Sequence, residues 1–509
     1  MNQVAAEQSA FTGWRGLKID AASLAVAVVL IAMTIVKFTA FAAQPLGIDE
    51  VWTGMIAGQR TVAGLIRQCQ LDVNAPLAYV IAWLWAPLSG LSNGALRLPS
   101  ILFVCAAPLV ALAPRQGVPR SVRMIWACLV ACWAPGILMA DQARCYALVI
   151  LLATANAAVF VSLLRRPTMV TALIWTSVST LLILDHYFAA LLIGCQGIAY
   201  LIVHREKAVR TWPAALAFAP AFASILLKAG LLANFAQPGQ STVSTLRLAD
   251  MERVFGFLAG APLAVLGLCA WILATWLVDF RQRRSGSGAE VRDRNTFAMA
   301  GAAGVAIAAA LISIAAGFLV PILSPRYLTI FVPGVFLGLA MLARHFGRRQ
   351  RLAPVVLVGG FFGLALWLAA LALFVSPGPE PWTFSFQPAS EWLMARRTRQ
   401  LIFFWDNPAA QGADPDTLAQ VGGFFFNRAG TPIPVDVVRW RKGVDPNALL
   451  LERAQTPGAA ILWIYDRNVP GTLAKDHPPM MERMAPSWSC QDFGGGNFGV
   501  VTCQKRTAA

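Results

Sequence analysis

Apolar runs divided by short polar segments dominate residues 20–375, and each is of the length, about 17 to 25 residues, that crosses a hydrocarbon core as one helix. The pattern predicts eleven spans, at 20–43, 96–113, 122–140, 145–164, 169–186, 187–203, 213–233, 253–278, 297–320, 328–343 and 352–375. Residues 75–90 are apolar but short for a span, so they are expected to lie as a helix along the outer surface. From residue 377 the apolar runs shorten and are separated by Pro, Gly, Asp and Asn. Strands are predicted at 399–405, 434–440 and 459–465, with helices at 389–397, 416–421 and 447–453. The expected architecture is a polytopic α-helical membrane domain, 1–376, whose outer loop 44–95 carries surface helices, followed by a small extracytoplasmic α/β domain, 377–509. Residues 489–504 read as a hairpin about the turn 494–497, so Cys490 and Cys503 face each other and bridge in an oxidising compartment.

Composition agrees with this picture: 57% of the 509 residues are hydrophobic and 13% charged, more apolar surface than a soluble core uses. The formal charge of +16 forms no basic face or recognition helix, which argues against nucleic acid as a partner. Arginines instead punctuate alternate loops, at 115–123, 165–166, 205–210, 281–294 and 344–351. The positive-inside rule then places the N-terminus in the cytoplasm and the tail in the periplasm of a bacterial inner membrane. Ala40-Phe41-Ala42 imitates a cleavage site, but the preceding run is longer than a signal-peptide core and reads as an uncleaved anchor. Cys105, Cys128, Cys132, Cys195 and Cys269 lie in apolar runs and read as small buried hydrophobes.

Four ionisable clusters sit at helix ends that this topology sends to the outer side: Asp49-Glu50, Asp141-Gln142-Ala143-Arg144-Cys145-Tyr146, Asp185-His186-Tyr187 and Ser324-Pro325-Arg326-Tyr327. Asp72, Asn74 and Pro76 join them from the first outer loop. Each cluster alone reads as a solvated border; four on one side point to a shared cavity. Asp49 supplies a carboxylate base for an acceptor hydroxyl, and Arg144 and Arg326 supply cations for a departing phosphate. His186 beside Tyr187 reads first as a polar border residue, and Asp185 with His186 gives two cation ligands, short of a metal site. Trp83 and Trp85 are expected to anchor the surface helix at the membrane interface.

The stretches Gly47-Ile48-Asp49-Glu50, Asn74-Ala75-Pro76-Leu77-Ala78-Tyr79, Ala95-Leu96-Arg97-Leu98-Pro99-Ser100, Gln142-Ala143-Arg144-Cys145-Tyr146, His186-Tyr187-Phe188 and Pro325-Arg326-Tyr327-Leu328 resemble, in order, the GT-C glycosyltransferases. The resemblance is to the bacterial branch related to protein O-mannosyltransferases and lipid A aminoarabinose transferases, and it fades in the tail. It implies a GT-C fold and transfer of one sugar from a polyprenyl-phosphate donor to a lipid, glycan or protein acceptor, with inversion and no nucleotide sugar or other cofactor. It places the base on Asp49, with Glu50 supporting; Asp141 is read as the catalytic candidate that compensates for the family's shifted acid, and Arg144, Tyr146, Arg326, Tyr327, Asp72, Asn74, Arg97, Asp185 and His186 are the substrate-binding candidates. The chain departs from the family pattern at Asn74-Ala75-Pro76, where His-Pro-Pro is common, and at Asp141-Gln142-Ala143-Arg144, where the acid usually stands one place later. Two other readings stay open: a transporter or lipid flippase, and a noncatalytic assembly protein with a degenerate transferase fold.

Overall fold

The computed structural model describes residues 21–39, 44–113, 117–235, 237, 245–260, 294–347, 385–407, 413–439, 445–466, 487–494 and 498–505. The helical part begins with α1 (Ala21–Thr39). Three helices of the outer loop follow: α2 (Ile48–Ala57), α3 (Val62–Leu71) and α4 (Leu77–Ser89). Next come α5 (Asn93–Leu112), α6 (Arg120–Cys132), α7 (Ala134–Ala140), α8 (Tyr146–Arg165), α9 (Met169–Asp185) and α10 (Ala189–His204). After a single turn at Glu206–Val209 come α11 (Ala219–Leu227), α12 (Ala229–Phe235), α13 (Met251–Ala259), α14 (Arg294–Leu319) and α15 (Val332–Gly347).

Among the described residues, α5, α8 and α14 are each long and apolar enough to cross a membrane. Two further pairs pass together, each bent by 59°: α6 with α7, and Trp212–Leu227 with α12. The expected eleven spans are therefore not reproduced as eleven straight helices. Apolar runs in the sequence give no sign of a bend, and Pro135 at the start of α7 and the Lys228 junction between α11 and α12 divide two of them. The eighth expected span is described only through Gly260, and the eleventh lies outside the described residues, as does Cys269. Cys128 and Cys132 are buried as expected, while Cys105 and Cys195 are only partly so.

The apolar helices pack through small residues, which let backbones approach closely. A Cβ added at Gly334 of α15 would stand 2.5 Å from the Ala306 Cβ of α14, and one at Gly338 would stand 2.8 Å from that of Ala303. Inside the bundle a polar relay ties three helices. Asn156 donates to Ser179 at 2.9 Å, Gln196 to Asn156 at 2.7 Å, and Trp175 to Gln196 at 2.8 Å.

The expected surface helix is α4, but its indoles are tied within the protein. Trp83 donates to the Gln59 carbonyl at 2.7 Å and Trp85 to that of Ala95 at 2.9 Å. Each indole spends its one donor on a carbonyl of the outer loop, and both rings remain partly exposed.

The tail opens with α16 (Phe386–Ala395) and β1 (Gln400–Asp406), then α17 (Pro415–Gly422), α18 (Phe424–Arg428), β2 (Val435–Val437), α19 (Pro446–Arg453), β3 (Ala459–Asp466), β4 (Trp488–Asp492) and β5 (Phe498–Lys505). The sheet order is β2-β1-β3-β5-β4, with β2, β1 and β3 parallel and the last hairpin antiparallel. Alternate residues of each strand face opposite layers. Leu401 and Phe403 join Phe386, Leu418 and Phe425 on one face, whereas Ile402 and Phe404 join Leu450 of α19 on the other. The first face is shared with Leu46, Val51, Leu65 and Tyr79 of the outer loop, so the tail and that loop have one hydrophobic core. Polar contacts reinforce it: Gln59 donates to Gln420 at 2.8 Å, and Arg67 pairs with Asp416 at 3.3 Å. Cys490 and Cys503 are cross-strand partners, 4.1 Å apart between Cα atoms, and are bridged.

Candidate active site

Gly47 is extended and starts α2, whose first turn carries both acidic residues, Asp49 and Glu50, where the helix dipole favours negative charge. Successive residues on a helix diverge by about 100°, so the two carboxylates point apart. Glu50 turns inward. Its oxygens accept Arg97 Nε and Nη2, each at 2.8 Å, together with the amides of Gly47 and Ala143, each at 2.9 Å. Arg97 is fully buried and also donates to the carbonyls of Gln44 at 2.8 Å and Pro45 at 2.9 Å. Asp141 stands behind it, with Oδ1 3.7 Å from Arg97 Nη1. Burial raises the Asp141 carboxyl to about 7, against the pull of Arg97 and with the neighbouring Glu50 charge adding to the rise. This buried group joins the loop before α2, the start of α5 and the loop before α8.

Asp49 turns outward, its side chain 48% exposed. Arg326 Nη1 donates to its Oδ2 at 3.2 Å, and Arg144 Nη2 lies 3.9 Å from the same oxygen. Arg144 also donates through Nη1 to the Asp49 carbonyl at 3.2 Å. Desolvation pushes the Asp49 carboxyl up, but the two guanidinium groups outweigh it and hold it below its usual range. Arg144 Nε and Arg326 Nε are buried and have no hydrogen-bond partner. Each arginine thus keeps an unused donor beside the carboxylate.

Aromatic rings enclose this pair. The Arg326 guanidinium lies 5.5 Å from the Tyr146 ring, and His186 stands 4.9 Å from Tyr327 and 5.9 Å from Tyr146. Asp49, Arg144, Tyr146, His186, Arg326 and Tyr327 therefore meet in one place, whereas Glu50, Arg97 and Asp141 lie in the buried group behind them. The His186 ring is packed between Tyr327 and Tyr146.

Asp72 and Asn74 form a separate corner. Asp72 accepts Tyr79 Oη and Asn74 Nδ2, both at 2.8 Å. Lys228, at the bend between α11 and α12, donates to the Asp72 carbonyl at 2.8 Å and the Asn74 carbonyl at 2.5 Å. Lys228 escaped the sequence reading; its signal was a lysine inside an apolar run. Asp185 is 1% exposed, and neither carboxylate oxygen has a hydrogen-bond partner. No group of three His, Cys, Asp or Glu side chains among the described residues is placed to hold a metal ion.

No protein-family model matches the sequence, and no curated protein matches it. Two crystal structures of ArnT from Cupriavidus metallidurans are similar in structure. The apo form has a TM-score of 0.58 and 12% identity, covering 97% of this chain and 98% of that one. The form bound to undecaprenyl phosphate has a TM-score of 0.53 and 12% identity, covering 94% and 97%. At this identity the likeness is one of fold, and it extends over nearly all of both chains. The chain has the fold of these two structures.

Proposed function

We propose that this chain, with the fold of ArnT, moves a single sugar from a polyprenyl-phosphate donor to an acceptor hydroxyl outside the cytoplasmic membrane. The observation that carries the reading is Asp49, a half-exposed carboxylate held by two arginines that each retain an unused Nε donor. That a structure of the same fold binds undecaprenyl phosphate supports the choice of donor. In the absence of donor, Asp49 is the counter-ion of Arg144 and Arg326. A phosphate entering the site draws both guanidiniums to itself, matching their planar forks to its oxygens. Asp49 then loses the charges that depress its basicity. It accepts the acceptor's proton as the oxygen attacks the anomeric carbon, the bond from that carbon to the phosphate oxygen breaks with inversion, and polyprenyl phosphate departs with the bonding electrons.

Glu50, Arg97 and Asp141 act by position, fixing the turn that presents Asp49. Tyr146, Tyr327 and His186 wall the site and exclude water. Asp72 and Asn74, through Tyr79 and Lys228, hold the neighbouring loop against the bent helix pair. The bridged cysteines support an outward, oxidising location for the tail, and with it the cytoplasmic N-terminus of the inner-membrane topology.

The test is transfer by the purified protein from radiolabelled polyprenyl-phosphate sugars, joined to mass spectrometry of envelope lipids and glycans from cells with and without the chain. A single-sugar mass lost with the gene identifies donor and acceptor together. Unchanged envelopes with no donor consumption would overturn the reading.

A further inference from the structure

Residues 44–47 form an irregular link into α2, and irregular backbone that is buried must find hydrogen-bond partners outside itself. Arg97 and Glu50 supply some of them: Arg97 donates to the Gln44 and Pro45 carbonyls, and Glu50 accepts the Gly47 amide. The amide of Leu46, a fully buried residue, is satisfied from elsewhere. It donates at 3.1 Å to Gln387 Oε1, a side chain from the first turn of α16 in the tail.

Gln387 belongs to a chain of polar contacts. Its Oε1 also accepts Asn93 Nδ2 at 3.0 Å, and the same Nδ2 donates to the Gln44 carbonyl at 2.9 Å. Asn93 Oδ1 accepts Arg428 Nη1 at 2.7 Å, and Gln387 Nε2 donates to Glu391 at 2.8 Å. Asn93 begins α5 one turn before Arg97, so the two lie on one face of that helix and meet at the Gln44 carbonyl. Gln387 from the tail and Asn93 with Arg97 from α5 thus grip the link from two sides. Asp49 stands three residues beyond Leu46, in the first turn of the helix that this link launches. A shift on the order of 1 Å there would carry its carboxylate out of hydrogen-bond reach of Arg326, now at 3.2 Å, and further from Arg144, now at 3.9 Å.

We propose that Gln387 is a positioning residue for the transfer, a tail side chain that, with Asn93, holds the link 44–47 and so sets where Asp49 stands against Arg144 and Arg326. Resting on the transferase reading, this role deepens it: the tail takes part in turnover through α2.

Gln387→Leu keeps an apolar packing volume and removes both acceptances. Gln387→Glu combined with Glu391→Gln exchanges the pair and keeps every donor matched to an acceptor. In the purified full-length protein, Gln387→Leu should lower kcat on the order of 10- to 100-fold with little change in KM for a polyprenyl-phosphate sugar, and the exchanged pair should recover much of it. Two readouts separate displacement of Asp49 from general damage. The guanidiniums beside Asp49 hold its carboxyl below its usual range, so a displaced carboxylate titrates higher, and the acidic limb of kcat/KM in Gln387→Leu should move up by a fraction of a pH unit. The arginines, relieved of their counter-ion, should bind undecaprenyl phosphate about two- to fivefold more tightly, the worth of a partly exposed ion pair, and this gain should vanish on an Asp49→Asn background. Wild-type kcat in Gln387→Leu, or a loss of kcat with neither the limb nor the phosphate affinity moved, would overturn the positioning role. A wild type that consumes no donor would instead strike the transferase reading, and the phosphate measurement then decides the grip by itself: tightening in Gln387→Leu that is absent with Asp49→Asn upholds it, and equal affinities end it.

Discussion

Arg326 Nη1 donates to Asp49 Oδ2 at 3.2 Å across 277 residues of chain, joining the first outer loop to the turn that opens α15. In the proposed reaction this contact sets the base against the cation that later holds the leaving group, and the two must exchange partners. Several measurable consequences come from it and from the buried group behind it.

Asp49→Asn keeps the size of the side chain and removes its charge. Transfer should fall by a factor of about 100 to 10,000, the usual worth of a positioned base. Undecaprenyl phosphate binding should hold or tighten, because the arginines lose their resident counter-ion. Near-normal turnover with a purified donor would remove Asp49 from the role of base.

Arg326→Ala should weaken binding of the polyprenyl-phosphate donor, and Arg326→Lys should recover little of it, since an ammonium lacks the planar fork that fits phosphate oxygens. Equilibrium binding of a labelled donor to both variants measures this. Donor affinity equal to wild type in Arg326→Ala would reduce the residue to a border arginine.

Glu50→Gln takes from the buried Arg97 guanidinium its hydrogen-bonded carboxylate, leaving Asp141 at 3.7 Å, and should cost about 3 to 5 kcal/mol of stability. A combined Glu50→Gln and Arg97→Met change should restore much of it by removing the stranded charge. Thermal melting of the three detergent-solubilised proteins reports the comparison. Equal melting of single and double variants would show the pair to be independent.

Asp141, raised to about 7, carries a pH signature. Its folded-state value lies above the unfolded one, so its contribution is fully present below about pH 4 and is lost as pH rises through about 7. Wild-type melting temperature should therefore fall between pH 5 and 8 relative to Asp141→Asn, in which the residue no longer titrates. Parallel curves over that range would contradict the assignment.

Reducing the bridge between Cys490 and Cys503 should lower the stability of the tail by about 3 kcal/mol, from loop closure alone. Alkylation mass spectrometry without reductant should find both cysteines blocked. Free thiols there would argue against an oxidising location of the tail.

Much of the tail could be read from the sequence because its signals are local. Strands alternate, Asp414 and Asp445 cap α17 and α19, and the cysteine spacing fixes a register. Asp49, Arg144 and Arg326 were legible as candidates because charge meets an apolar border there, and the fold brings the three together. What stayed hidden depends on rotation about a helix or on distant partners. Neighbouring Asp49 and Glu50 have opposite surroundings, and only the helix direction decides which faces inward. Short α18, the ring of Trp52 against Trp405, and Lys228 reaching the Asp72 carbonyl all arise from tertiary contact. The bends that split two spans leave no hydropathy signal either.

A Cβ at Gly54 would lie 2.6 Å from the Phe424 ring, so the tail rests directly on the helix that carries Asp49. Tails therefore cannot be exchanged freely between proteins of this fold. A graft bearing a different residue at the place of Phe424 would tilt the seat of the carboxylate, and a working chimaera must transplant residues 48–57 together with the tail that grips them.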